Sequence, residues 1–195
     1  MNVSDLFDSP YENILFDLDG TLIDSYEVIK SGLKLTLDHF NIDLKFDIGN
    51  DFVGPPLAEA FATLTNNADE EIIILMVDYF KKIYDRDLCN LSQPFSYVDK
   101  LLLTLSTKKR LFLITNKREI PTKKILFFRN WQNLFIDYYC IDTFTNEKYS
   151  KPDLINKMIN SYNLNKKSCI YVGDHSHDRI AANVANISFL KVINF

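Results

Sequence analysis

The chain has 195 residues, 47% apolar and 25% charged, with five glycines and six prolines. That is globular composition, and it excludes a collagen-like repeat, a low-complexity chain and a disulfide scaffold. The net charge of −4, from 22 basic and 26 acidic residues, leaves no electrostatic footprint for nucleic acid or an anionic membrane, so neither is expected as a partner. Cys89, Cys140 and Cys169 are odd in number and scattered. Without a C-x-x-C spacing they predict neither a metal knuckle nor a redox pair, and they suit a reducing compartment. The opening Met1–Pro10 has no basic cluster and no apolar stretch, so no secretory leader is expected. The longest dense apolar run, Ile72–Val77, is far short of the roughly 20 residues of a membrane helix. A cytoplasmic protein is the expectation.

In chain order, the first predicted strand is Asn13-Ile-Leu-Phe-Asp17. Behind it come residues of helical spacing. Tyr26, Ile29, Leu33, Leu37 and Phe40 form one stripe, and Pro55 to Leu64 and Asp69 to Tyr84 predict two more helices. Asp69, Glu70 and Glu71 suit the positive end of the latter. Ser92-Gln-Pro94 reads as a return linker and Tyr97 to Leu105 as a helix. Four more strands follow, at 110–115, 137–141, 168–172 and 189–193, as short apolar runs without alternation, the pattern of strands covered on both faces. Helical patterning lies between them. Leu154, Ile155, Met158, Ile159 and Tyr162 form one stripe, and Ile180, Ala181 and Val184 another. Phe127, Phe128 and Trp131 have helical spacing and are expected in packing.

Strand alternating with helix predicts an α/β fold with a parallel sheet and right-handed crossovers. One connection is too long for a single crossover, and its excess is helical. An all-helical insertion at 24–92 is therefore expected inside a core made of 1–23 and 93–195.

Four polar sites sit at or just beyond the carboxyl ends of predicted strands, the edge at which open α/β sheets bind their ligands. They are Asp17-Leu-Asp19-Gly20-Thr21-Leu, Thr115-Asn116-Lys117, Ser150-Lys151-Pro152, and Gly173-Asp174-His175-Ser176-His177-Asp178. Residues 17 and 19 would point to opposite sides of an extended chain. Both can serve one site only if the strand ends and bends there, a turn that Gly20 permits.

Asp-x-Asp-Gly-Thr-Leu after an apolar strand, then a helical insertion, then Thr-Asn, Lys-Pro and Gly-Asp-x-x-x-Asp in this order, resembles the haloacid dehalogenase-like superfamily of hydrolases. The stretches Phe16–Ser25 and Gly54-Pro-Pro-Leu57 are most similar to its phosphoglycolate phosphatase-like branch. The resemblance implies a Rossmann-like parallel-sheet core with a helical cap that folds over it. It also implies a phosphatase acting on a small phosphorylated metabolite, such as a phosphoglycolate-like ester or a sugar phosphate. Asp17 would be the nucleophile that forms an aspartyl phosphate, and Asp19 the general acid and base. Thr115 and Lys151 would complete the catalytic set, with Gly20, Thr21, Asn116, Gly54 and Pro55 at the substrate or its phosphate. Asp17, Asp174, Asp178 and the backbone carbonyl of Asp19 would hold Mg²⁺, for which hard oxygens are the suitable ligands.

The same sites would serve a phosphomutase or a pyrophosphatase. A non-catalytic module that senses phosphate or metal is the rival from another class. His175 departs from the resembled motif, which usually has a small hydroxyl residue there. With His177 and Asp178 it admits a transition-metal pocket as an alternative, although a loop-lining or substrate-contacting role is the expectation. Natural substrate and oligomeric state are open at this stage.

Overall fold

Asn13–Phe16 form β1, buried along its whole length, in a computed structural model that describes residues 3–44, 47–49, 52, 56–66, 68–144 and 148–192. A short antiparallel ribbon of β2 (Ile23–Asp24) and β3 (Gln93–Pro94) follows. Then come β4 (Arg110–Thr115), β5 (Asp137–Cys140), β6 (Cys169–Gly173) and β7 (Ser188–Lys191). The main sheet has the order β5-β4-β1-β6-β7, and every pairing in it is parallel. Each strand lies within one or two residues of its predicted position. Central strands read as unbroken apolar runs because both faces are covered, whereas β5 and β7 are half-buried at the edges.

The chain divides into two compact units, Met1–Asp24 with Gln93–Phe195, and Ser25–Ser92. In the first, α4 (Val98–Leu105), α5 (Glu119–Phe128), α6 (Lys151–Ser161) and α7 (Ser176–Val184) accompany the sheet. One face packs Leu15, Phe112, Ile114, Cys169 and Tyr171 against Leu154, Ile155 and Met158 of α6 and Ala181 and Ala182 of α7. Alternate strand residues supply this face, as the period of two requires. The second unit holds α1 (Tyr26–His39), α2 (Leu57–Leu64) and α3 (Glu70–Ile83). Leu33 and Leu37, Phe61 and Leu64, and Met76 and Phe80 are its buried stripes. Gly32 lets α1 approach α3, since a Cβ there would lie 2.7 Å from the Phe80 ring. Among the described residues no helix is long and apolar enough to cross a membrane.

With so few glycines, asparagine ends the helices. Asn41, Asn66, Asn130, Asn163 and Asn186 all have φ between 49° and 57° and stand just after α1, α2, α5, α6 and α7, the left-handed position that Asn tolerates best after Gly. At four of these ends the next residue, Ile42, Trp131, Leu164 or Ile187, donates its N–H to a carbonyl five residues back, at 2.8–3.0 Å. That closes the last helical turn and satisfies its carbonyls.

Two apolar expectations turn out differently. Trp131 is buried, but Phe127 and Phe128 are 67% and 57% exposed. On α7, Ile180 and Val184 face solvent while Ala181, Ala182 and Ala185 face the sheet. Small residues there let the helix approach closely. Helical spacing shows that residues share a face, but not which face turns inward.

Candidate active site

Strand order builds the site. From β1 the chain moves outward through β4 and β5 on one side, then through β6 and β7 on the other. The carboxyl end of β1 is therefore the switch point where a crevice opens. Asp17 follows β1 directly, Thr115 closes β4 and Asp174 follows β6, so two neighbouring strands flank the first aspartate.

The turn after β1 is tight. Leu18 O accepts the N–H groups of Thr21, Leu22 and Ile23, and Gly20 N donates to Ile23 O at 2.9 Å. Gly20 has φ +75°, and a Cβ on it would lie 2.3 Å from Asp174 Oδ2. Thr21 donates its hydroxyl to Asp174 Oδ1 at 3.1 Å. The amide of Gly20 and the hydroxyl of Thr21, both expected at the phosphate, here shape the turn and orient Asp174. Gly20→Ala should destabilise the protein by about 1–3 kcal/mol and weaken binding of a divalent ion, because it strains the turn and displaces Asp174. Thermal melts and ion titrations check both effects.

Asp17 is 7% exposed. Lys151 Nζ lies 3.1 Å from Asp17 Oδ1 and 2.6 Å from Asp178 Oδ1. Burial above all, with Asp178 and Asp19 adding to it and Lys151 opposing it, raises the Asp17 carboxyl to about 7. Burial opposes the Lys151 charge, but Asp17 and Asp178 outweigh it and hold the ammonium above its ordinary pKa. Burial also raises Asp174, against the hydrogen bond from Thr21.

Helix starts aim these groups. Ser150 caps α6 and pairs with Asp153 in a reciprocal box, which sets Lys151 at the first helical position. His175 caps α7. Its Nδ1 accepts the His177 N–H at 3.3 Å, and its own N–H donates to Asp178 Oδ2 at 3.0 Å. The imidazole thus takes over the capping role of a small hydroxyl residue. Ser176 and His177 belong to the first turn of α7 rather than to a loop. Gly173 gives Asp178 room, since a Cβ on it would lie 2.4 Å from Asp178 Oδ2.

Carboxylate oxygens of Asp17, Asp174 and Asp178 lie within 4.8 Å of one another. Neither histidine belongs to this group, and an all-oxygen donor set favours a hard divalent cation over a transition metal. Asp17 Oδ1 is buried and faces the Lys151 ammonium at 3.1 Å without hydrogen-bond geometry among the described residues. The residues fit the cation.

Asp19 stands apart from this trio. Both its oxygens face Lys117 Nζ, at 2.9 and 3.1 Å. Thr115 is buried, and its Oγ1 accepts the Lys117 N–H at 3.1 Å, which leaves the hydroxyl proton free for another acceptor. Asn116 is exposed beside it. Gly54 and Pro55 lie outside the described residues. No role was expected of Lys117, since it is 98 positions from Asp19 and no local pattern signals their pairing.

Residues 14–192 match the family of haloacid dehalogenase-like hydrolases. The chain belongs to this family. The hydrolase is 27% identical over 180 residues to pyrophosphatase PpaX of Oceanobacillus iheyensis, covering 92% of this chain and 82% of PpaX. It is 30% identical over 185 residues to a phosphoglycolate phosphatase of Colwellia psychrerythraea, covering 90% and 81%. Among solved structures it is similar to a haloacid dehalogenase-like hydrolase from Streptococcus pneumoniae, with a TM-score of 0.82, 25% identity and coverage of 93% and 84%.

Proposed function

We propose that this hydrolase cleaves a small phosphomonoester with Mg²⁺, through an aspartyl phosphate on Asp17. The observation that carries the reading is the Asp17 carboxylate: buried at the switch point, with a fixed ammonium 3.1 Å from Oδ1 and the carboxylates of Asp174 and Asp178 close by. A carboxylate approaching a phosphate dianion needs positive charge beside it, and Lys151 supplies one unit. Asp17, Asp174 and Asp178 would hold the cation, which when bound neutralises and orients phosphoryl oxygens.

Asp17 attacks phosphorus, and the ester oxygen departs with a proton from Asp19. Asp19 then takes a proton from the water that hydrolyses the acyl phosphate. Lys151 favours the ionised form of Asp17, against the burial that raises its pKa. Thr115 gives its hydroxyl proton to a phosphoryl oxygen.

The two curated relatives are named for different substrates, pyrophosphate and phosphoglycolate, so family membership does not choose between them. A panel of small phosphorylated metabolites, with pyrophosphate included, is the test of substrate, and analysis of products separates hydrolysis from transfer to an isomer. A chromogenic ester, p-nitrophenyl phosphate, tests the chemistry itself. Hydrolysis should require Mg²⁺ and stop with chelator. Silence on the ester and on the whole panel with Mg²⁺ present would leave a phosphate- or metal-sensing module as the better reading.

A further inference from the structure

We propose that Lys117 is a positioning residue that acts through Asp19. It holds that carboxyl group in place and stabilises the negative charge that forms on it as its proton leaves. The inference rests on the phosphatase reading and adds to it a residue to which the four motif sites assign no role.

The geometry is that of a built pair. Lys117 Nζ reaches both Asp19 oxygens, at 2.9 and 3.1 Å, and the two side chains are only 6% and 21% exposed. Exposed lysine–carboxylate pairs contribute little because water screens them and two long chains must be ordered; here one partner is already enclosed. The backbone of Lys117 is tied as well, its N–H donating to Thr115 Oγ1. One residue of the β4 end thus grips two groups assigned to the chemistry, one on its own strand end and one on the turn after β1. Asp19 stands in that turn beyond the last ladder pair of β1, and the ammonium fixes where its oxygens lie.

Proton accounting gives the pair a role in both half-reactions. In the first, an Asp17 oxygen bonds to phosphorus, the bond from phosphorus to the leaving oxygen breaks, and the Asp19 proton passes to that oxygen. Asp19 is then a carboxylate facing an ammonium, so charge develops where a cation already waits. In the second, water bonds to phosphorus, the bond from phosphorus to Asp17 breaks, and the proton given up by water returns to Asp19. Lys117 keeps its own protons throughout.

The test compares kcat/KM for phenyl phosphate and p-nitrophenyl phosphate, measured on the full chain with Mg²⁺. Because kcat/KM stops at the first irreversible transfer, slow hydrolysis of the phosphoenzyme does not mask it. Phenoxide is about as basic as tyrosinate and needs the proton; nitrophenoxide leaves far more readily without it. Lys117→Met and Lys117→Gln should lose about tenfold more on phenyl phosphate than on the nitro ester, and Lys117→Arg should restore the wild-type ratio. In an Asp19→Asn background Lys117→Met should change the ratio no further. Equal losses on the two esters would overturn the inference and leave Lys117 a clip between two loops. So would failure of both neutral variants to fold. A wild type silent on both esters and on the whole metabolite panel with Mg²⁺ removes the phosphatase reading instead, a separate and recognisable outcome.

Discussion

Asp17→Asn should abolish turnover, a loss of at least about a thousandfold in kcat, and yet in metal-free buffer above neutral pH it should melt at a higher temperature than the wild type. The first effect follows from the nucleophile: an amide in that place forms no acyl phosphate. The second follows from burial, which lifts the carboxyl from 3.8 to about 7. Unfolded chains release this proton near pH 4, whereas the folded protein retains it to about 7. As pH rises between these limits the unfolded state has already lost its proton, so the wild type loses stability, and above about 7 the loss is complete. Asparagine carries no such charge. The stability gap in favour of the variant should therefore widen from pH 5 to pH 8 and level off beyond, reaching on the order of a few kcal/mol, or several degrees in Tm. Excess Mg²⁺ should close it, because an ion that binds the native carboxylates stabilises the wild type by mass action and the variant less. Melting curves at several pH values, with chelator and with Mg²⁺, are the measurement. Retained Mg²⁺-dependent turnover would remove Asp17 as nucleophile; a gap indifferent to pH would remove the burial argument.

The chemistry was legible in the sequence where local rules act, and hidden where only topology brings residues together. Buried parallel strands appear as apolar runs, and β1, β4 and β6 lie where those runs predict. Asp17, Thr115 and Asp174 were placed at strand ends by the same runs, and parallel pairing then makes them neighbours. The Ser150–Asp153 box begins four residues before Leu154, where the apolar stripe starts, so the stripe alone does not show that Lys151 stands on a helix rather than a loop. The stripes likewise do not show where the helices stop, which the left-handed asparagines after five of them decide. Lys117 was different. Nothing within its neighbourhood in the chain points at Asp19, because the pair exists only once β4 lies beside β1. The bond of the Thr21 hydroxyl is hidden for a similar reason: its acceptor, Asp174, is 153 positions away, and nothing beside the motif signals it. His175 departs from the motif in sequence but keeps its capping role, since a ring nitrogen can accept the same hydrogen bond.

Lys151→Met should be the other severe loss, and its signature is how that loss depends on acid and on Mg²⁺. The ammonium serves Asp17 and Asp178 together, 3.1 and 2.6 Å away, with its side chain only 10% exposed. Methionine preserves most of the stem and removes the charge, leaving two enclosed carboxylates without their cation. Breaking a buried pair in this way costs about 3–5 kcal/mol, which at pH 8 in chelator should be a loss of many degrees in Tm. Turnover should fall by about a hundredfold or more, as for other fixed donors near a charged transition state. As pH is lowered toward 5, Asp17 and Asp174, both raised by burial, take up protons in the folded state, and the deficit should shrink. Mg²⁺ should shrink it too, since the divalent charge replaces what the lysine supplied. Lys34→Met is the control: that lysine is 47% exposed, 3.7 Å from an exposed Asp47, and its loss should change stability by less than about 0.5 kcal/mol. A Lys151→Met deficit that ignored both acid and Mg²⁺ would mean that the lysine matters for the packing of its stem. The three carboxylates would then lose the electrostatic strain on which their claim to a divalent ion depends.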